Sequence, residues 1–117
     1  MAKFMLILNH RPGRYDDLSP EENWAIIKDY IAWVERQAGA GVYLGGEKLG
    51  GEGGRTVSRP SGDLEVHDAP FAELPEVLGG YMIIQAEDYD HAVALSADHP
   101  HLVHNEALVI RQIDEVE

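Results

Sequence analysis

A histidine and a carboxylate stand side by side in the middle of the chain, as His67 and Asp68, and Pro70 follows two residues later. Histidine titrates near neutrality, and a neighbouring carboxylate can orient or charge it, so the pair is a candidate for acid–base catalysis. Adjacent residues on an extended strand point to opposite faces, however. The alternative is that Asp68 forms a local turn ahead of Pro70 while His67 packs or faces solvent.

Asp98 and His99, at the end of the second predicted helix, form another candidate for the same chemistry. Because His101 and His104 follow closely, and His91 precedes them, the cluster could also suit zinc or nickel. Its spacing matches neither the helical histidine pair of metalloproteases nor a zinc finger. We therefore expect a polar, solvent-exposed loop at this place and no bound metal.

Several aromatic residues stand near these polar groups. Phe71 and Tyr81 follow the histidine–aspartate pair closely, and both are candidates for contacting a ligand. Trp24, Tyr30 and Trp33 lie on the apolar stripe of the first predicted helix, where core packing is the expected role.

Length, charge and cysteine content limit the possible functions. The 117 residues predict one domain, 1–117, and a net charge of −12 spread along the chain argues against nucleic acid or an anionic membrane as a direct partner. With no cysteine, disulfide and thiolate chemistry are impossible. The apolar run near the N-terminus is too short for a signal peptide or a membrane span, so we expect a cytoplasmic protein. No motif predicts an organic cofactor.

The pattern of apolar residues predicts two helices and six strands. The first helix begins after the N-cap Ser19, with Pro20 at its first position and Glu22 completing a capping box. The second begins after Asp88. The predicted strands are Phe4–Leu8, Val42–Leu44, Thr56–Ser58, Leu64–Val66, Gly79–Gln85 and Ala107–Ile113.

The glycine-rich run from Gly45 to Gly54 separates the second strand from the predicted hairpin. It lacks the Gly-Lys-Ser/Thr sequence and the glycine spacing of phosphate-binding loops. We therefore interpret it as a mobile hairpin or a lid.

The order of these elements is β-α-β, a hairpin, then β-α-β. It predicts an α+β fold with a ferredoxin-like split βαβ sheet, an inserted hairpin, and helices on one face only. The other sheet face would expose apolar side chains, and a second copy packed face to face would cover them.

The run Asp68–Glu73, with Gly79, Gly80 and Tyr81 after it, resembles the YCII-related family, and within it the branch named for an Asp-Gly-Pro-Phe (DGPF) motif. The resemblance extends over nearly the whole chain and implies a dimeric α+β barrel. Ala69 stands where the motif has glycine, which indicates that this position does not need a positive φ.

The family also implies a histidine on the first helix and an aspartate before the proline of the second. Here Asp29 lies near the place of that histidine, and His99 occupies the place before Pro100. The resemblance therefore suggests that the two residue types have exchanged places. A second departure is Leu74-Pro75, which stands where a polar and a basic residue are usual and removes a positive charge.

Two functions follow from the resemblance. Some family members resemble dehydrochlorinases or isomerases of ring-cleavage pathways, which implies an enzyme that transfers a proton on a small polar or cyclic molecule, or eliminates a group from it. Other proteins of the branch are associated with extracytoplasmic-function sigma factors. The alternative is therefore a non-catalytic ligand-binding or regulatory module that acts through protein contacts.

The bare sheet face generates a first prediction. We expect a homodimer in dilute solution, because no helix is left to cover that face. Sedimentation analysis checks this, and a stable monomer of 13.0 kDa at micromolar concentration would contradict it.

Overall fold

The β-strands and helices alternate largely as the apolar pattern predicts. The structure, a computed structural model, describes residues 1–51, 53–68 and 76–115. Across these residues the elements in chain order are β1 (Ala2–His10), α1 (Pro20–Gly39), β2 (Tyr43–Lys48), β3 (Arg55–Ser58), β4 (Glu65–Asp68), β5 (Val77–Ala86), α2 (Tyr89–Ser96), α3 (Pro100–Val103) and β6 (Leu108–Gln112).

Four of the strands form one antiparallel sheet in the order β2-β5-β1-β6. The central strands β1 and β5 pair along their whole length, and the helices cover one face. With the hairpin β3–β4 set aside, this is the ferredoxin-like arrangement, and the predicted fold class is confirmed. Phe4, Leu6 and Ile84 are fully buried on the helix-covered face.

The start of α1 follows its predicted capping box. The Ser19 hydroxyl accepts from the Glu22 amide at 3.1 Å, and the Glu22 carboxylate accepts from the Ser19 amide at 3.1 Å. Pro20 occupies the first helical position, where no amide donor is needed.

The buried side of α1 differs from the predicted one. Trp33 is only 1% exposed and Tyr30 packs against the core, whereas Trp24 is 51% and Ile31 43% exposed. The prediction that Trp24 fills the core is wrong. At about 100° per residue, Trp24 and Ile31 lie roughly opposite Trp33. The apolar stripe is wide enough for two faces, and the sheet takes the one centred on Trp33.

The second strand is longer than predicted. It continues past Leu44 through the first glycines to Lys48, because Glu47 and Lys48 pair with β5. A β-carbon on Gly46 would collide with the Tyr81 carbonyl oxygen, so the close pairing of these strands requires glycine there. This part of the glycine-rich run is therefore strand rather than lid.

The hairpin β3–β4 forms as predicted and stands away from the rest of the fold. All residues of its two strands are exposed, Val57 and Val66 among them, and so is Leu64, which directly precedes β4. The radius of gyration is 16.4 Å, against about 13 Å for a compact domain of this length. The hairpin is thus a projecting arm.

The sheet face opposite the helices carries apolar side chains, as predicted. Ile7, Tyr81 and Val109 align across β1, β5 and β6, and Val109 is 43% exposed. Leu44 on the edge strand is 46% exposed. This surface is where a second copy would pack, and the homodimer itself stays a prediction. In the described part of the chain no helix is long and apolar enough to cross a membrane.

The two tryptophans of α1 provide a matched test of the packing. Trp33→Ala should lower the free energy of unfolding by about 3–5 kcal/mol, because it opens a cavity in the core. Trp24→Ala should cost less than about 1 kcal/mol, because its side chain is half exposed. Urea unfolding followed by circular dichroism measures both, and equal losses would contradict the assignment of faces.

Candidate functional site

A cleft of about 410 Å³ opens between α1, the β1–α1 connection and the sheet. That volume is in the range of sites for small organic molecules. Its apolar wall includes Leu8, Ile26, Ile27 and Met82. The polar residues that line it, through backbone or side chain, are His10, Arg14, Tyr15, Asp16, Asn23, Tyr30, Tyr43, Glu47, Lys48, Tyr81 and His101.

A hydrogen-bonded phenol and imidazole lie at the base of the cleft. The Nε2 of His101 contacts the carbonyl oxygen of Asn9, which can only accept, so Nε2 carries the proton. In neutral His101 the Nδ1 atom is then an acceptor, and the Tyr30 hydroxyl donates to it at 2.8 Å. The pair joins α1, α3 and β1 through one imidazole.

The electrostatics of the pair keep both groups neutral near pH 7. Burial lowers the pKa of His101, although the Asn9 carbonyl and the Glu106 carboxylate work in the opposite direction. Burial also raises the pKa of Tyr30 above its usual range, helped by the neighbouring Tyr15 and by Glu106. His101 is therefore free to accept a proton, and Tyr30 retains its own.

One wall of the cleft is held by a buried ion pair. Arg14 Nε lies 3.0 Å from Glu106 Oε1, but their angle is not that of a hydrogen bond. The Arg14 guanidinium also donates from Nη2 to the His104 carbonyl oxygen at 2.9 Å. These contacts fix the connection between β1 and α1 against the segment after α3.

His99 is fully buried beside the cleft rather than in an exposed loop. It is the N-cap of α3, and its Nδ1 accepts from the His101 amide at 3.0 Å. The ring centroid lies 4.4 Å from that of Trp33, and Nε2 is 3.4 Å from the Met82 sulfur. Burial, helped by His101, lowers the pKa of His99 to about 4. The prediction of an exposed loop is wrong, because the cap turns this histidine inward.

The sequence-predicted pair His67 and Asp68 lies on the projecting hairpin. Both residues are exposed, and Asp68 Oδ1 is 3.1 Å from Arg55 Nη1. His67 is opposite Thr56 in the strand register. Neither residue lines the cleft in the single chain, so a catalytic role for them stays a prediction. The candidate Phe71 lies outside the described residues.

The other predicted acidic residues contact partners away from the cleft base. Asp98 accepts from Trp33 Nε1 at 3.0 Å and from Arg36 Nη2 at 3.0 Å, which ties α1 to the segment before α3. Asp29 lies 3.0 Å from His104 Nε2. The proposed exchange of places therefore does not bring Asp29 to His99. Tyr81 is among the residues that line the cleft, but its register opposite Ile7 turns its side chain to the other sheet face, and a ligand-binding role for it stays a prediction.

The ring nitrogens of the three clustered histidines point to different partners. His99 contacts Met82, His101 contacts Asn9, and His104 contacts Asp29. Within residues 1–51, 53–68 and 76–115, no three potential ligands come together as a metal site. That the protein holds no metal stays a prediction.

Sequence reasoning missed His10, Arg14 and Tyr15 and left His101 among possible metal ligands. One signal was available for His10. It has the same strand parity as Leu6 and Leu8, so it faces the helix layer, and it stands where the apolar run ends. The link from Tyr30 to His101 spans 71 positions, and local pattern carries no sign of it.

The fold and the cleft define a ferredoxin-like α+β protein with a site of small-molecule size. Within that class, the chain belongs to the YCII-related domain family, whose model matches residues 2–116. The predicted family is thus confirmed. No curated protein sequence matches the chain.

A solved structure of similar fold is 5-chloro-2-hydroxyhydroquinone dehydrochlorinase (TftG) from Burkholderia phenoliruptrix AC1100, in complex with 2,5-dihydroxybenzoquinone. The TM-score is 0.59 at 15% sequence identity, over 97% of this chain and 95% of that one. At this identity the likeness supports the fold alone.

Burial of His99 predicts how stability depends on pH. Its pKa is about 4 in the fold and 6.5 without it, so between these values the unfolded chain binds a proton that the native protein does not. The contribution of neutral His99 to the free energy of unfolding is therefore fully present above pH 6.5. It is lost as the pH falls toward 4, at up to about 1.4 kcal/mol per pH unit.

Urea unfolding at a series of pH values measures this slope. His99→Asn should flatten it, because asparagine can still cap α3 but does not titrate. His67→Asn, a change at an exposed histidine, should keep the wild-type slope. A wild-type slope in His99→Asn would contradict the assignment.

Proposed function

We propose that this protein binds a small cyclic molecule with polar substituents in the cleft and moves a proton on it without an organic cofactor. The hydrogen bond from Tyr30 to neutral His101, at the base of the cleft, carries the proposal. It places a proton acceptor and a proton donor in one short chain of atoms, beside an apolar wall that can hold a ring.

The proton moves in two linked steps. The Tyr30 oxygen accepts a proton from the bound molecule while the Tyr30 hydroxyl proton passes to His101 Nδ1. The positive charge that forms on His101 lies beside the Asn9 carbonyl oxygen and near the Glu106 carboxylate, and both stabilise it. The reverse transfer returns the proton to another atom of the same molecule or to a leaving group, and it restores the enzyme.

The ligand of the structurally similar dehydrochlorinase supports the choice of substrate class. 2,5-Dihydroxybenzoquinone is a small ring with oxygen substituents. A cleft with an apolar wall and several phenol and imidazole groups suits such a ring, because apolar area supplies affinity and polar groups fix orientation.

The predicted homodimer is compatible with this use of the cleft. The cleft lies on the helix-covered side of the sheet, whereas the side chains of Ile7 and Val109 project from the other side. Packing of two sheets face to face would leave the cleft mouth beside α1 unobstructed. We include the homodimer in the proposal.

A second candidate is the regulatory module that acts through protein contacts. The exposed apolar side chains Val57, Leu64 and Val66 on the projecting arm favour it, since such residues commonly mark protein interfaces. Association with a sigma factor stays a prediction, and Val57→Ser with Val66→Ser would abolish it if the arm is the contact.

Tyr30→Phe tests the first candidate, with 2,5-dihydroxybenzoquinone as the probe. Removing the hydroxyl should weaken binding about tenfold, the usual size for one lost hydrogen bond, and should slow any turnover by a hundredfold or more. Isothermal titration calorimetry measures the binding. Tyr89→Phe is the matched control, because its hydroxyl accepts from the Gln112 amide at 2.7 Å outside the cleft.

The same titration distinguishes the cleft from the histidine–aspartate pair on the hairpin. If the cleft is the site, His67→Ala and Asp68→Asn should bind the probe as the wild type does. Loss of binding in those two variants, with Tyr30→Phe unaffected, would place the site at the hairpin.

A further inference from the structure

A β-bulge interrupts the central strand pair at the edge of the cleft. Leu8 is opposite Gly80 and Asn9 is opposite Leu78, so Gly79 on β5 is the unpaired extra residue. Bulges re-aim neighbouring side chains and are common beside binding sites. This one lies where β1 reaches the cleft.

Gly79 leaves room for the ring of His10. A β-carbon at Gly79 would lie 2.5 Å from His10 Cδ2 and 3.0 Å from His10 Nε2, which is too close for any larger residue without moving the imidazole. The glycine, unfavourable in a strand, is explained by the ring that lies against it. His10 itself lines the cleft.

The hydrogen bonding of His10 determines which nitrogen is free. Its Nδ1 is 3.1 Å from the Arg11 carbonyl oxygen, which can only accept, so Nδ1 carries the proton. In the neutral ring Nε2 is then an acceptor. Within the part of the chain that the structure describes, no residue donates to Nε2.

His10 and His101 are thus fixed in opposite tautomers by backbone carbonyl groups two residues apart. His101 is protonated on Nε2 through Asn9 and already accepts from Tyr30. His10 is protonated on Nδ1 through Arg11 and keeps its acceptor available to a ligand. The cleft therefore contains two imidazoles, one that is bonded to Tyr30 and one whose acceptor nitrogen faces no protein donor among the described residues.

We propose that His10 is a ligand-contacting residue that accepts a hydrogen bond from a ring hydroxyl group, and that Gly79 positions it. The inference rests on the proposed function and narrows its substrate class to rings with at least one hydroxyl group. No covalent step is required, because the interaction is a hydrogen bond from the ligand oxygen to His10 Nε2.

A matched pair of probes tests the need for a hydroxyl donor. 1,4-Dihydroxybenzene, whose phenol groups keep their protons near pH 7, has it, and 1,4-dimethoxybenzene has the same ring without it. Wild-type protein should bind the dihydroxy probe about tenfold more tightly or better, the worth of one hydrogen bond. Equal binding of the two would overturn the proposal.

Three variants and one control variant locate that preference. His10→Phe should lose it, because phenylalanine fills the space of the ring without an acceptor. His10→Gln should retain much of it, because the amide oxygen can accept in place of Nε2. Gly79→Ala should lose it while the imidazole is still present, and Gly39→Ala, at the end of α1 with open space around it, should keep it. Wild-type preference in His10→Phe would overturn the proposal even if Gly79→Ala fails to fold.

Nitrogen NMR of the histidine rings provides a test that needs no ligand. His10 should be the Nδ1–H tautomer in the wild type and in Gly39→Ala, and a His10 protonated on Nε2 in the wild type would overturn the proposal. Wild type that binds neither of these probes nor 2,5-dihydroxybenzoquinone would reject the proposed function and this inference together. Tight binding that His10→Phe leaves unchanged would reject only this inference.

Discussion

The imidazole of His101 is the contact on which the rest of this structure depends. It is 3% exposed, it accepts from Tyr30 on α1, and it contacts the Asn9 carbonyl at the end of β1. A buried imidazole without partners would cost the free energy of lost hydration. Both nitrogens have partners here, so the polar group joins three elements instead of destabilising the core.

The neighbouring His99 extends the same constraint. It caps α3 and packs on Trp33, while Trp33 donates to Asp98 on the segment that leads into α3. The helix layer is thus connected to α3 by polar contacts among aromatic rings. Because these contacts require neutral imidazoles, acid should weaken the packing of α1 and the shape of the cleft together.

The described surface separates three roles. The cleft lies under α1, the apolar sheet face lies on the opposite side, and the exposed hairpin β3–β4 lines neither the cleft nor that face. A ligand, a second copy and a further protein would therefore meet different residues. Two glycines allow close approaches that a side chain would prevent. Gly46 on β2 lies against the backbone of Tyr81, and Gly79 on β5 lies against the imidazole of His10.

The sequence by itself determined the local structure and, through it, the fold. The capping box at Ser19, the turn of the hairpin and the period of two in the strands each depend on near neighbours, so they could be predicted. The tertiary structure decided which face of α1 is buried, because Trp24 and Trp33 are equally apolar and only contact with the sheet distinguishes them. It also decided the site. His67 and Asp68 are adjacent in sequence and exposed, whereas His10, Tyr30 and His101 meet only because strand pairing and helix packing bring distant segments together.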